Sequence, residues 1–271
     1  MLDSADRHQQ IMGILNLTPD SFSDGGRFNE EANALEHARQ MVADGARIID
    51  VGGESTRPGS ERVSPAEQIR RIVSVIKMLR AELPAAIRIS VDSTRVEVAG
   101  TALDAGANML NDVTAGREEP AILKLAADRQ VPIVLMHMQG TPATMQNNPH
   151  YENVVNEVRD FLLERARAAE QAGCQKQNII LDPGIGFGKT REHNMELMRH
   201  LGVFTDTGYD ILLGTSRKRF MGSICQETVP AELVGATCAT TVLGAQAGVR
   251  YFRVHDVRAN RQALDVALAL T

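Results

Sequence analysis

Apolar residues along this chain come in two rhythms. Short runs are IMGIL (11–15), RIIDV (47–51), IRISV (87–91), ANML (107–110), VPIVLM (131–136), NIIL (178–181), DILLG (210–214) and YFRV (251–254). Most are rich in β-branched residues and flanked by Gly or Pro. Unbroken apolar runs of this length are expected of strands buried on both faces, as in a parallel sheet. Between them lie longer stretches with apolar residues at helical spacing. EANALEHARQMVADGA stops at Gly45. SPAEQIRRIVSVIKMLRAEL opens with Ser64 as an N-cap, Pro65 in the first turn and Glu67 three residues after the cap. YENVVNEVRDFLLERARAAEQAG is the longest and again closes on a glycine. The alternation predicts about eight strand–helix units and no linker. Such units build either a closed barrel or an open, doubly wound sheet.

The residues that follow each apolar run decide between the two. The runs exit, in order, into Asn16, Glu54-Ser55-Thr56-Arg57, Asp92, Asn111-Asp112, His137, Asp182, Ser216-Arg217-Lys218 and His255-Asp256. In an open sheet only strands near the switch point are expected to carry such groups. In a barrel every C-terminal strand end meets at one mouth. The pattern therefore predicts the α/β class: a single TIM (β/α)8 barrel over residues 1–271, with long first and second strand-to-helix loops (17–26 and 52–65). Those loops, rich in Ser, Gly and Pro, are candidates for lids.

The chain has 271 residues, 43% of them hydrophobic, and a net charge of −5. That mild acidity argues against a nucleic-acid or membrane-surface partner. No apolar run is long enough to span a membrane. Cys174, Cys225 and Cys238 are far apart, with no CxxC, which is expected of reduced thiols in a cytoplasmic protein.

DPGIGFGKT (182–190) imitates a nucleotide-phosphate loop, but its spacing excludes that. The P-loop glycine position is Pro183, which has no N–H, and the third glycine of a dinucleotide fingerprint falls at Lys189. Gly184, Gly186 and Gly188 are expected in the sixth strand-to-helix loop, where the backbone approaches a ligand or simply turns tightly. Lys189 is expected to face solvent.

Asp92, Asn111 and Asp182 offer carboxylate and amide groups suited to a flat heterocycle with several N–H donors, though a lone Asp at a strand end also serves as a helix cap. Arg57, Arg217, Lys218, Arg219, Arg253 and His255 form a cationic set, and barrels often hold phosphate after their seventh and eighth strands. Arg217 and Arg219 are equally consistent with solvated surface positions. Arg253, inside YFRV, needs an anion to offset its desolvation. His137 is expected to be a packed, hydrogen-bonded histidine. There is no zinc-ligand spacing and no GxSxG, so metal-free chemistry, or a hard cation held mostly by substrate phosphates, fits the residues. They describe a barrel enzyme binding a planar polar heterocycle beside a phosphate or diphosphate.

ILNLTPDSFSDGGRF, GARIIDVGGESTRPGS, ISVDSTR, GANMLNDVTAG, VPIVLMHMQGTPATMQ, IILDPGIGFGKT, LLGTSRKRFMG and RVHDV, in this order over residues 11–257, closely resemble the dihydropteroate synthases of folate biosynthesis. The resemblance implies a transferase that joins 6-hydroxymethyl-7,8-dihydropterin diphosphate to 4-aminobenzoate, releasing 7,8-dihydropteroate and diphosphate by a dissociative substitution. It implies Mg²⁺, a homodimer, and sulfonamides as competitors of aminobenzoate. It also implies site roles. Asp92, Asn111, Met136, Asp182 and Lys218 would hold the pterin. Asn16, Arg253 and His255 would grip the diphosphate, Asn16 also ligating Mg²⁺. Thr56, Arg57, Phe187, Ser216 and Lys218 would frame the aminobenzoate. Asp92, Lys218, Arg253 and His255 would be catalytic. The alternatives are a pterin-dependent methyltransferase domain, which needs neither the SRK and RVH cations nor the STRPG loop, and a non-catalytic pterin-binding protein, which is expected to lack some of Asn16, Asp92 or Arg253.

Overall fold

Side chains on each strand alternate between the barrel interior and the helix layer, and this alternation selects the polar residues that reach the mouth. The computed structural model describes residues 9–17, 26–54, 62–141 and 144–270, with only the backbone of 26–30. Within them β1 (Gln10–Asn16), β2 (Ala46–Gly52), β3 (Arg88–Asp92), β4 (Met109–Asp112), β5 (Ile133–Met136), β6 (Ile179–Asp182), β7 (Asp210–Leu213) and β8 (Tyr251–Val254) form a closed barrel in sequence order. Each neighbouring pair is parallel, and β8 closes on β1 through Gln10–Tyr251 to Gly13–Val254. The closed-barrel alternative is the one observed.

The helices are α1 (Gly26–Ala43), α2 (Pro65–Glu82), α3 (Val96–Asp104), α4 (Ala121–Arg129), α5 (Val154–Gln171), α6 (Arg191–Arg199), α7 (Leu201–Thr205), α8 (Arg219–Cys225), α9 (Val234–Gln246) and α10 (Val257–Leu270). The sixth and seventh units carry the additional short helices α7 and α8, which the apolar rhythm did not separate. The predicted Ser64 cap is observed, and Asn153 supplies a second cap that was not predicted. Ser64 Oγ accepts the Glu67 N–H at 3.3 Å ahead of α2, and Asn153 does the same for Asn156 ahead of α5.

Two apolar shells result. Ile48, Met109, Val134, Ile180, Leu212 and Tyr251 fill the barrel, while Ile49, Val91, Leu110, Leu135, Leu181 and Phe252 pack outward against the helices. Burying each such side chain contributes about 1.5–3 kcal/mol. Most of the side chains above the inner plug are polar, among them Asp50, Asp92, Asn111, Asp182, Arg253 and His255, with the apolar Ile14 and Met136 beside them. No helix among the described residues is long and apolar enough to cross a membrane.

Candidate active site

Asn16, Gly52, Asp92 and Asn111 fall on one register row across β1 to β4, and Met136 pairs with Asp182 across β5 and β6. Shear then brings the remaining strand ends over the same plug. A cleft of about 470 Å³, counted to its open rim, is lined by Asp92, Asn111, Met136, Asp182, Phe187, Ser216, Lys218, Arg253 and His255. These are most of the residues singled out in the sequence. Asn16 stands at the end of β1, its Oδ1 close above Gly52, but it does not line this cleft. Thr56 and Arg57 lie outside the described residues, as do most of the first long loop and half of the second, so the lid expectation falls largely on residues whose structure is not described.

Arg253 is the centre of the polar cluster. Its Nε donates to Asp50 Oδ2 at 2.7 Å and its Nη2 to Asp92 Oδ2 at 2.8 Å. The anion that offsets its burial is thus a pair of the protein's own carboxylates, a partnership the sequence argument left to a ligand. Asp50 also accepts from Asn111 Nδ2 at 3.0 Å. Burial, together with the nearby Asp50, Asp112 and Glu54 charges, raises the Asp92 carboxyl to about 7 against the pull of Arg253. Burial likewise raises Asp182, although the Gly184 N–H, donating to its Oδ1 at 2.7 Å, and the Lys218 charge favour the carboxylate.

Lys218 closes the other side. Its Nζ donates to the Ile185 carbonyl at 2.7 Å and lies 3.9 Å from the centre of the Phe187 ring. Burial lowers its pKa to about 7, opposed by Asp182 and assisted by Arg253. Ser216 Oγ is 3.0 Å from His255 Nδ1 and accepts the His255 N–H at 3.1 Å, locking the ends of β7 and β8 together.

Three glycines of the sixth loop have left-handed backbone, and a Cβ on Gly188 (φ +60°) would stand 2.6 Å from the Gln139 carbonyl oxygen. Gly184 and Gly186 have φ of +66° and +84°, and a Cβ on them would stand 1.9 Å from the His137 carbonyl oxygen and 2.8 Å from Lys218 Cδ. The loop is pressed against the fifth loop on one side and Lys218 on the other.

Lys189 does not face solvent. It is 3% exposed, donates to the carbonyls of Gly184 and Phe187 at 2.9 and 3.0 Å, and sits 2.9 Å from His137 Nδ1. It closes its own loop and ties it to the fifth, where a hydrated position was expected. His137 is the packed histidine expected, edge-on to Phe161; burial first, then the Lys189 and Arg117 charges, lower its pKa to about 2. Arg217 is part-exposed and does not line the cleft: it grips Asp256 at 3.0 and 2.7 Å, while Arg219 is exposed. Asp112 points outward and caps the turn at Thr114 and Gly116. Sequence reading missed Asp50. The signal that marked Arg253, a charge inside an apolar strand, is present in RIIDV too.

Residues 12–255 match the family described as "Pterin binding enzyme". The chain is 48% identical over 263 residues to the dihydropteroate synthase of Synechocystis sp., covering 96% of this chain and 89% of that one. It belongs to the dihydropteroate synthase family of pterin-binding enzymes. Two solved structures of the family extend the likeness to the backbone. The Xanthomonas albilineans dihydropteroate synthase with 4-aminobenzoic acid has a TM-score of 0.90 at 44% identity, covering 97% of this chain and 93% of that one. The Yersinia pestis dihydropteroate synthase in a sulfonamide drug complex has a TM-score of 0.91 at 39% identity, covering 99% and 96%.

Proposed function

We propose that this chain condenses 6-hydroxymethyl-7,8-dihydropterin diphosphate with 4-aminobenzoate to give 7,8-dihydropteroate and diphosphate. One observation carries the reading: the buried acceptor groups of Asp92, Asn111 and Asp182 share a cleft with Lys218, Arg253 and His255, and the chain belongs to the dihydropteroate synthase family. In this reading the two carboxyls and the amide take the N–H donors of the pterin, with Met136 against its face. Lys218 donates to a pterin acceptor, while Arg253 and His255, with Asn16, receive the diphosphate. Phe187, Ser216 and Lys218, with Thr56 and Arg57, frame the aminobenzoate, and sulfonamides compete there.

The substitution follows from the charges. The bond between the pterin methylene carbon and the diphosphate oxygen breaks, and its electron pair leaves with the diphosphate. Held cations lower the cost of that departing charge. The carbocation spreads into the dihydropterin ring beside Asp92. The aromatic amine then gives its lone pair to the methylene carbon, and the nitrogen releases one proton to water. An aromatic amine is a weak nucleophile, so raising the electrophilicity of carbon matters more than a strong base.

Mg²⁺ fits this chain as a cation carried by the substrate. Among the described residues no group of three or more His, Cys, Asp or Glu is placed to hold a metal, and Asn16 offers a single amide oxygen at a strand end. Magnesium usually takes few protein ligands and keeps phosphate and water around it. Bound there, it would neutralise leaving-group charge. The reading also includes a homodimer, supported by the exposed Leu243, Val266 and Leu268 on α9 and α10, and a cytoplasmic location, supported by three unpaired cysteines.

The test is incubation of the purified chain with both substrates and MgCl₂, following dihydropteroate by mass spectrometry. Absence of product overturns the reaction; undiminished product in excess EDTA overturns the metal. Sedimentation at monomer mass only would overturn the dimer.

A further inference from the structure

We infer that Asp50, a carboxylate buried beneath the cleft rather than on its wall, is the positioning residue that sets how Arg253 and Asn111 present themselves to the ligand. Asp50 has no solvent exposure. It points inward from the middle of β2, one inward position below Gly52 and level with Ser90 of β3. Its Oδ2 receives both Arg253 Nε, at 2.7 Å, and Asn111 Nδ2, at 3.0 Å. No other carboxylate among the described residues binds two cleft-lining side chains from different strands through one oxygen.

Each contact removes a specific ambiguity. A guanidinium is a planar fork, so aiming Nε at Asp50 and Nη2 at Asp92 fixes both its plane and its rotation. The remaining Nη1 edge is the part left for an anion. An asparagine amide can offer either oxygen or nitrogen, and a carboxylate can only accept. With Nδ2 committed to Asp50, Asn111 presents its oxygen and so selects a ligand N–H. Asp50 also gives Arg253 a second counter-charge, so the guanidinium can turn from Asp92 to an anion without being left unpaired.

Packing alone is a poor account of this residue. Ile48, the inward neighbour below it, fills the same interior with hydrocarbon. Asp50 Oδ1, by contrast, is buried without a hydrogen-bond partner among the described residues, an arrangement that costs about 1–3 kcal/mol. The stability given up sits directly under two substrate-facing side chains.

The inference rests on the proposed function, in which Arg253 takes diphosphate and Asn111 takes pterin. Asp50→Asn keeps the volume and removes the charge. The expected result is a loss of about 10–100-fold in kcat/KM for the pterin diphosphate, the range seen when groups that orient binding side chains are removed. Calorimetric affinity for diphosphate is expected to weaken with it. The KM for 4-aminobenzoate is expected to stay within about twofold of wild type, since that substrate meets neither oriented group. The acid limb of the pterin kcat/KM profile is expected to move to lower pH. Of the charged groups that face Asp92, namely Arg253, Asp50, Asp112 and Glu54, only Asp50 has changed, and its negative charge no longer opposes ionisation. Unchanged kcat/KM and diphosphate affinity would overturn the inference. So would equal losses for both substrates with an unmoved pH profile. If the asparagine variant does not fold, Asp50→Ser is put to the same measurements with the same outcomes. Wild-type protein in the same assay keeps the levels apart: no product from it sinks the proposed function, whereas an active wild type with an indifferent variant sinks only the role of Asp50.

Discussion

Two basic side chains, the part-buried Arg253 and the buried Lys189, stand on neighbouring parts of the barrel mouth and are held in opposite ways. Arg253 projects from a strand toward the axis, meets two carboxylates and lines the cleft. Lys189 projects from a loop into the shell behind the cleft and meets carbonyl oxygens and an imidazole nitrogen. The acids beside Arg253 can let go one at a time when another anion arrives. The carbonyls around Lys189 are part of the loop itself, so release would unfold it. Withdrawal of a basic side chain from water therefore does not identify a functional group. The partners do, because ionic partners on separate strands are exchangeable and backbone partners on one loop are not.

Removing each cation is the most direct way to break this contrast. Arg253→Met leaves Asp50 and Asp92 buried without their counter-charge, so unfolding in urea at pH 8 is expected to show a loss of about 3–5 kcal/mol. Calorimetry on the folded variant is expected to show weaker diphosphate binding as well. Lys189→Met is expected to cost about 2 kcal/mol, since water can reach some of the freed loop carbonyls. Its kcat/KM for the pterin diphosphate is expected to fall less than that of the Arg253 variant. An inactive but fully stable Lys189→Met would place both cations in the same class and end the comparison.

Smaller effects sharpen it. With Asp92 raised to about 7, kcat/KM for the pterin diphosphate is expected to fall as pH drops below about 7, because the protonated acid no longer steadies a carbocation. An acid limb near the ordinary carboxylate range would show that Arg253 dominates Asp92. His137, beside Lys189, has its folded-state pKa lowered to about 2 from 6.5. Its contribution to stability is therefore fully present above about 6.5 and is withdrawn as pH falls toward 2. Over that window the unfolded chain binds one more proton at this site, a slope of about 1.4 kcal/mol per pH unit. The non-titrating replacement His137→Asn is expected to remove that increment from the stability–pH curve, measured by urea titration between pH 6 and 4; an unaltered slope would mean that His137 protonates in the folded protein.

Most of the fold was legible because it is written locally. Eight apolar runs without alternation, each ending in a polar residue, describe strands covered on both faces and open at one end. The sites that could be read are those where a strand's own C-terminal end supplies the group, as with Asp92, Asn111 and Asp182. Lys189 and Asp50 were not legible, for one shared reason. Their meaning lies in partners from other segments: His137 comes 52 residues before Lys189, and Arg253 comes 203 residues after Asp50. The same holds for Arg217, whose bidentate partner Asp256 arrives only when β7 and β8 pair. The short helices α7 and α8 escaped because runs of five and seven residues carry too few turns to show a period.

The close approach of Gly184 to the fifth loop bears on how the molecule can change over generations. Any side chain at that position must first lift the loop off the His137 carbonyl, and the lifted loop takes Phe187 and the Lys218 contact with it. A lineage under selection by a cleft-filling drug is therefore left with few viable alternatives at this codon. Compounds that rest on the bare backbone there would lean on the stretch of wall with the least freedom to evolve away.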